Sequence, residues 1–220
     1  MKILKVLVAC EESQAVTKQF RLLGHEAYSC DILDCSGGNP EWHIKDNVLN
    51  HINSNWDLMI AHPPCTYLSV SGNRWLYNKD GSKNEERWKN RLISLKFVED
   101  ILNSPVRHIA LENPVSVISS QIRKPEQIIQ PYMFGDEATK TTCLWLKNLP
   151  PLKPTKIVGK GDRIYYKSGK SHPKWYAEAL SKSKTKEERQ KIRSKTFQGI
   201  AKAMANQWSK YIINEETSTQ

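Results

Sequence analysis

The sequence predicts an α/β protein in which a mostly parallel sheet is flanked by helices. Short apolar runs rich in branched residues alternate with segments of helical spacing, a pattern typical of βαβ units. A length of 220 residues, 39% hydrophobic and 25% charged, fits one globular domain with room for a small appendage. No window approaches roughly 18 uncharged apolar residues, so we expect no membrane span and no membrane partner. The first residues lack the cleavage site of a secretory signal.

Each element is predicted from its own local pattern. The strands are apolar runs, of which the second ends at Asp31 and the third is stopped by Pro63 and Pro64. Gly24 stands where the first helix requires a C-terminal glycine. The longest helix is predicted from apolar side chains at helical spacing, namely Trp88, Leu92, Leu95, Val98 and Ile101. In chain order the elements are strand 3–9, helix 13–23, strand 26–32, strand 56–61, helix 85–102, strand 107–111, strand 142–146 and a terminal helix within 196–214.

Two side chains at predicted strand ends are the strongest candidates for catalysis. Ligands bind at the carboxyl ends of parallel strands, so the residues that follow the strands are the ones to inspect. Cys65 follows the rigid Pro63-Pro64 turn, which exposes its thiol as a nucleophile requires. Glu112 ends a neighbouring strand, where apolar surroundings are expected to raise its pKa, so that it carries a proton at neutral pH. A carboxylate that caps the following segment is the alternative for Glu112.

The other cysteines are interpreted as small buried side chains. Five cysteines without a C-x-x-C spacing argue against both a disulfide framework and a zinc ribbon, so we expect no metal. The thiols are therefore expected to be reduced, as in the cytoplasm.

These residues, in this order, resemble the DNA (cytosine-5)-methyltransferases, and most of all the compact versions common in phage genomes. The likeness rests on residues 56–65, which end in Pro-Pro-Cys, on Ser-Val-Ser-Gly at 69–72, and on Leu-Glu-Asn-Pro at 111–114. It covers about residues 3–150 and again 196–208. The resemblance implies a Rossmann-like fold dependent on S-adenosylmethionine, with a catalytic core at 1–150, a small basic insertion at 151–195 and a C-terminal helix at 196–214 that packs back on the core.

The resemblance also implies a mechanism and a DNA partner. In that family the Cys65 position supplies a thiolate that adds to C6 of cytosine, and the Glu112 position supplies a proton or shares one with ring N3. Carbon 5 then accepts the methyl group, and the base must leave the duplex stack for this to happen. We expect the protein to lie in the cytoplasm, which would be the host's cytoplasm if a phage encodes it. We also expect a monomer or a weak dimer.

The same resemblance assigns the cofactor residues. It places S-adenosylmethionine against the ends of the first two strands and the turn after the third. The predicted contacts are Ala9, Cys10, Glu11, Ser13, Asp31, Ile32, Asp46 and Pro63. The first loop departs from the family because it is acidic rather than glycine-rich, although negative charge suits a positively charged sulfonium. His62 is also unusual before Pro-Cys, and it is interpreted as structural or as an imidazolium that favours the Cys65 thiolate.

All of the excess positive charge lies in one segment. The net charge is +10, and residues 153–195 contain 14 Lys or Arg against 4 acidic residues, while the remaining chain is balanced. Tyrosine, tryptophan and histidine are interleaved with the lysines, which suits phosphates and unstacked bases, and residues 183–193 resemble an exposed helix. A solvated lysine-rich surface is the alternative. The predicted DNA contacts are Ser71, Arg74, Asn113, Lys140, Lys167, Lys170 and Lys174.

Three functions remain open at this point. The first is methyl transfer to C5 of cytosine in DNA, and the second is the same pyrimidine chemistry on RNA or a free cytidine nucleotide. The third is a non-catalytic nucleic-acid-binding protein that keeps the methyltransferase shell. So short an insertion favours a short or relaxed sequence preference.

Overall fold

A seven-stranded sheet organises the chain in the computed structural model, which describes residues 2–218. Residue 1 of the predicted core segment 1–150 lies outside the described residues. The strand order is β3-β2-β1-β4-β5-β7-β6. The strands are β1 (Lys5–Ala9), β2 (Glu26–Asp31), β3 (His43–Lys45), β4 (Leu58–Ala61), β5 (His108–Asn113), β6 (Gln127–Ile129) and β7 (Thr142–Lys147).

One strand runs against the others. Strands β1 to β5 pair in parallel, whereas β7 pairs antiparallel with both β5 and β6. The chain crosses the sheet between β3 and β4, which is where the strand order switches direction. This mostly parallel sheet with helices on both faces confirms the predicted α/β, Rossmann-like fold class.

Helices cover both faces of the sheet because its buried strands are apolar on both sides. Val6 and Val8 of β1 point to one face, where α1 (Ala15–Leu22) and α6 (Gln198–Thr217) pack. Leu7 and Ala9 point to the other face, under α2 (Glu85–Leu102) and the short α3 (Ile118–Gln121). No helix within residues 2–218 is both long enough and apolar enough to cross a membrane.

The insertion is more structured than one loop and one helix. It contains a hairpin of β8 (Arg163–Tyr165) and β9 (Ser171–Pro173), followed by α4 (Lys174–Lys182) and α5 (Lys186–Ser194). Helix α5 begins with a capping box in which the Thr185 hydroxyl accepts from the Glu188 N–H. The helix predicted at 183–193 is therefore present, while the hairpin and α4 were not predicted.

Helix α2 has the predicted bounds but not the predicted buried face. Val98 and Ile101 are buried, whereas Leu92 is 62% exposed and Arg91 is only 5% exposed. Arg91 turns inward because its Nε donates to the Tyr67 carbonyl (2.9 Å) and its Nη2 to Asn73 Oδ1 (2.7 Å). The prediction that Leu92 is buried was wrong. Arg91 takes the inward position instead, where it anchors the loop that contains Tyr67.

Candidate active site

The candidate active site lies at one edge of the sheet, the edge that is formed by the carboxyl ends of β1, β2, β4 and β5. Strand β7 begins at this edge because it runs in the opposite direction, with Cys143 beside Asn113 of β5. Lys140, two residues before β7, therefore lies near the end of β5. This edge brings together the predicted residues Cys10, Asp31, Cys65, Glu112 and Lys140.

The loop that carries Cys65 is fastened to the end of β5. Asn113 Nδ2 donates to the Pro63 carbonyl over 2.8 Å, directly before Pro64 and Cys65. Further along, the Val117 N–H donates to the Leu68 carbonyl over 2.9 Å. Asn113 was expected to contact DNA, and that contact stays a prediction. Its side chain is buried, with 1% of the residue exposed, because the amide holds the nucleophile loop in place.

Glu112 and His62 form a buried pair beside the nucleophile. His62 Nδ1 lies 3.1 Å from Glu112 Oε2, and the two side chains are 10% and 13% exposed. The other ring nitrogen, His62 Nε2, is buried and has no hydrogen-bond partner within residues 2–218. His62 therefore partners Glu112, which the spacing of the two residues in the sequence did not indicate.

The pKa of Glu112 is shifted in the direction opposite to the prediction. Burial raises the pKa, as the sequence suggested, but the hydrogen bond from His62 and the positive charges of Lys140 and His62 outweigh it and lower the pKa. The lowered pKa favours the ionised form of Glu112 over the protonated form that the sequence suggested. His62 Nδ1 is the nearest hydrogen-bonding group to this carboxylate.

Cys65 is an exposed residue with a free thiol, although its sulfur atom lies deeper than the rest of the residue. Burial of the sulfur raises its pKa, and the negative charge of Glu112 raises it further. Arg193 and Lys140 act in the opposite direction through their positive charges. Arg193 belongs to α5, so the basic insertion contributes to the field at the nucleophile.

The first loop makes a tight turn although it lacks glycine. Cys10 and Gln14 have φ values of 58° and 56°, in the left-handed region that favours glycine. Glu11 was expected to contact the cofactor, and that contact stays a prediction. Its oxygens accept from the Val16 N–H and from the Thr17 hydroxyl, each over 2.7 Å, and so cap the buried N-terminus of α1.

Acidic side chains lie close together where β1 and β2 end. Asp31 ends β2, and one of its oxygens accepts from the Leu33 N–H over 2.9 Å. The next residue, Ile32, is 72% exposed, which leaves an apolar surface beside this carboxylate. Glu12 was not predicted as a cofactor residue, yet burial and the Asp31 charge raise its pKa. Its neighbour Glu11 is the acidic residue that sequence reasoning chose instead.

Asp46 is engaged within its own turn. Its oxygens accept from the Asn47 N–H over 2.7 Å and bond to the His51 ring over 2.9 Å. The hydrogen bond to His51 is the main reason that its pKa is lowered. Its contact with adenine stays a prediction, as do the cofactor contacts of three residues at the same edge, the buried Ala9 and Pro63 and the half-buried Ser13.

The remaining predicted DNA contacts lie on two exposed segments and on Lys140. Ser71 and Arg74 belong to a 3-10 segment, Val70–Leu76, that follows the nucleophile loop. Lys140 Nζ reaches the carbonyls of Ser194 and Lys195 over 3.5 and 3.4 Å, where α5 ends. Three further lysines are exposed in or beside the hairpin, namely Lys167, Lys170 and Lys174.

Some of the aromatic residues of the insertion hold it against the core. Trp175 Nε1 donates to the Thr139 carbonyl over 3.1 Å, and its ring meets Phe197 edge to face at 5.3 Å. The rings of His172 and Tyr176 lie 4.9 Å apart within the insertion. These side chains are thus packed rather than presented to bases, while Tyr165 is exposed.

A scan against protein-family models and a search of curated proteins found no match for this chain. Among solved structures, the chain is similar to a prophage-encoded Escherichia coli protein that is provisionally described as a DNA modification methyltransferase. The identity is 11% and the TM-score is 0.41, over 71% of this chain and 52% of that structure. The chain thus spans about half the length of the matched structure.

Proposed function

We propose that the chain transfers a methyl group from S-adenosylmethionine to C5 of cytosine in DNA, through a covalent bond between Cys65 and the base. The observation that supports this best is the convergence of a thiol, a carboxylate and a cation from three separate elements. Cys65 follows β4, Glu112 ends β5 and Lys140 precedes β7, and the charges of the latter two both act on the Cys65 thiol. A pyrimidine between them would meet a nucleophile and a proton relay.

The acidic side chains at the ends of β1 and β2 suit the cofactor. The Asp31 carboxylate can accept from ribose hydroxyls, and the exposed Ile32 side chain can pack against adenine. Glu12 adds negative charge where a cationic amine or sulfonium would lie. S-adenosylmethionine, when bound, supplies an electrophilic methyl group. Glu12 thereby replaces Glu11 as the acidic contact that we propose.

The chain's own residues activate the base. The Cys65 thiol gives its proton to the Glu112 carboxylate, and the sulfur forms a bond to C6 while the C5–C6 electron pair becomes available at C5. Glu112, which hydrogen-bonds to His62, then donates this proton to N3 and so stabilises the charge that develops there. After C5 is methylated, water takes the C5 proton, its electron pair re-forms the C5–C6 double bond, and the C6–sulfur bond breaks with its electrons returning to sulfur, which takes back the N3 proton. The aromatic ring is then restored.

A fluorinated base tests the proposal directly. Fluorine on C5 cannot leave as a proton does, so an oligonucleotide that contains 5-fluoro-2′-deoxycytidine should remain bound to Cys65 once methyl transfer has occurred. We expect mass spectrometry to find the adduct on the peptide that contains Cys65 in the wild type and in Cys35→Ser, and to find none in Cys65→Ser with an unchanged circular dichroism spectrum. An adduct that persists in Cys65→Ser would refute the assignment of Cys65 as the nucleophile.

Radioactive cofactor separates the substrate classes. With a tritiated methyl group, label on C5 of DNA cytosine supports the proposal, whereas label only on RNA or on free cytidine nucleotides contradicts its substrate. DNA binding without label on any of the three supports the non-catalytic alternative. The same preparations of wild type, Cys35→Ser and Cys65→Ser serve for both experiments.

A further inference from the structure

A pocket of about 530 Å³ lies beside the nucleophile loop and is not used by the proposed chemistry. Its volume falls within the roughly 300–1,000 Å³ of small-molecule sites. The lining residues are Trp75, Tyr77, Asn78, Lys79, Asn84 and Arg87. Aromatic walls, amides and two cations together suit a nucleobase with its phosphate.

We propose that this pocket binds the unpaired base of a nucleotide that flanks the target cytosine, so that the substrate is DNA that is single-stranded around the target. The inference rests on the proposed function, because that function places the target base at Cys65. It goes further by naming the state of the DNA and a second binding site for it.

The aromatic rings of the pocket are available for stacking. Trp75 is 53% exposed and Tyr77 is 49% exposed, which is unusual for two large aromatic side chains so close in the chain. The Arg74 guanidinium lies 4.5 Å from the centre of the Trp75 ring, so a phosphate that pairs with Arg74 would stand beside the base stacked on Trp75. Stacking on exposed aromatic rings is the usual way that proteins hold unpaired bases.

Arg87 contributes a fixed positive charge to the pocket wall. Its Nε is buried and has no hydrogen-bond acceptor within residues 2–218, so this atom is out of a ligand's reach. The pocket therefore offers a ligand the charge of the guanidinium rather than this donor. The carbonyl and ring nitrogen acceptors of a base, or a phosphate oxygen, suit that charge.

The pocket is joined to the nucleophile loop through the same arginine. Arg87 Nη2 donates to the Thr66 carbonyl over 3.1 Å, and Thr66 directly follows Cys65. The guanidinium also lies 5.2 Å from the centre of the Tyr67 ring. A strand whose target base reaches Cys65 would therefore pass the pocket with a neighbouring nucleotide. That neighbour must be unpaired to enter, so we expect DNA that is single-stranded around the target to bind more tightly than an intact duplex.

Single-stranded oligonucleotides with one abasic position test the pocket. We would measure the affinity of full-length wild type and Trp75→Ala by fluorescence anisotropy, with the abasic position moved along the flanks of the cytosine. We expect Trp75→Ala to bind the intact strand about 10-fold more weakly, as the loss of one base stack implies. At one flanking position, the missing base should weaken binding by wild type about as much as Trp75→Ala does. The affinity of Trp75→Ala should be the same for that abasic strand as for the intact strand.

Tyr211→Ala is the matched control, because Tyr211 is also an exposed aromatic residue but packs on His108 at the opposite edge of the sheet. The control should bind the intact strand like wild type. Equal affinities of Trp75→Ala and wild type for the intact strand would overturn the proposal. It would also be overturned if Trp75→Ala lost the same amount of affinity as wild type at every abasic position. Tighter binding of a matched duplex than of the single strand would overturn it as well.

The two proposals can fail separately. If the abasic effect is present but no methyl label reaches DNA, the pocket stands as a nucleic-acid site and the proposed function fails. If label reaches cytosine in duplex DNA and Trp75→Ala changes neither binding nor label, the pocket proposal fails alone. RNA of the same sequence that shows the abasic effect when DNA does not would overturn the choice of DNA.

Discussion

The carboxylate of Glu112 shows how a single residue depends on a partner that is 50 positions away in the chain. Its position at a strand end was predictable from the sequence, and so was the desolvation that opposes its charge. The direction of its pKa shift was not, because His62 reaches it only after β4 and β5 have paired. A site residue's location thus follows from local pattern, whereas its protonation state follows from tertiary contacts.

The lowered pKa of Glu112 predicts a specific pH dependence of stability. A carboxyl group with a lower pKa in the folded state stabilises the protein above its unfolded pKa, which is about 4.3, and this contribution is lost as the pH falls through the folded pKa. We expect Glu112→Gln to be less stable than wild type at pH 6, with a gap that narrows towards pH 3. Urea unfolding at a series of pH values measures the gap.

Glu137→Gln is the control for this pH series, because it removes an exposed carboxylate from the loop before β7. The difference between this control and wild type should be small and nearly constant with pH. A gap for Glu112→Gln that widens on acidification would show that the carboxyl group is protonated more readily in the folded state.

At the scale of elements, the start of α6 is closely packed against the turn before β7. The Gly199 N–H donates to Asp136 Oδ2 over 2.8 Å. A Cβ atom on Gly199 would lie 2.0 Å from the Phe134 carbonyl oxygen and 2.7 Å from Asp136 Oδ2. A side chain at this position therefore requires the helix or the turn to move.

We expect Gly199→Ala to destabilise the protein by about 1–3 kcal/mol, the usual cost of an added group in a packed position. Gly159→Ala is the matched control, because a Cβ atom there has nothing within 4 Å and its φ is not positive. Urea unfolding of both variants measures the difference. Similar stability of Gly199→Ala and the control would show that α6 can shift without cost.

The sequence predicted long, locally patterned elements better than short or anchoring ones. Helix α2 has the predicted bounds of 85–102 because its start and end signals are local. Strands β3 and β6 were missed because three residues carry too little periodicity, and both are defined by pairing with a neighbour. Arg91 replaced Leu92 on the buried face because it fixes the Tyr67 loop, a demand that no pattern within the helix encodes.

The candidate site was predicted in part for the same reason. The strand ends located Cys65, Glu112 and Asp31 on one edge, since parallel strands all end together. The sequence did not indicate that the side chains of Glu11 and Asn113 are used inside the protein, one at a helix N-terminus and one on the Pro63 carbonyl. The hydrogen-bond partners of a polar residue are not visible in its local sequence.

For the whole molecule, the distribution of charge matters more than its total. Helix α5 of the basic insertion carries Arg193, whose charge acts on Cys65, and Lys191, whose charge acts on Glu12. The insertion therefore places positive charge over the same edge of the sheet that holds the candidate site. A polyanion drawn to this surface would be brought to the nucleophile rather than to a distant face.

The hairpin lysines should contribute directly to the salt dependence of DNA binding. Each phosphate contact on a single strand changes the slope of log affinity against log salt by about 0.7. We expect the double variant Lys167→Ala and Lys170→Ala to make that slope less negative by about 1.4, because both side chains are exposed. Lys174 is left in place because it pairs with Asp162 at 3.3 Å. Fluorescence anisotropy between about 50 and 200 mM salt measures the slope.

A control of equal charge separates contact from net charge. Lys5→Ala and Lys210→Ala together remove two exposed lysines, one at the start of β1 and one near the end of α6 that lies by the opposite edge of the sheet. If binding depends on contacts at the hairpin, this control keeps the wild-type slope. Equal slopes for the two double variants would instead show that DNA responds to the net charge of +10 and that the hairpin makes no phosphate contact.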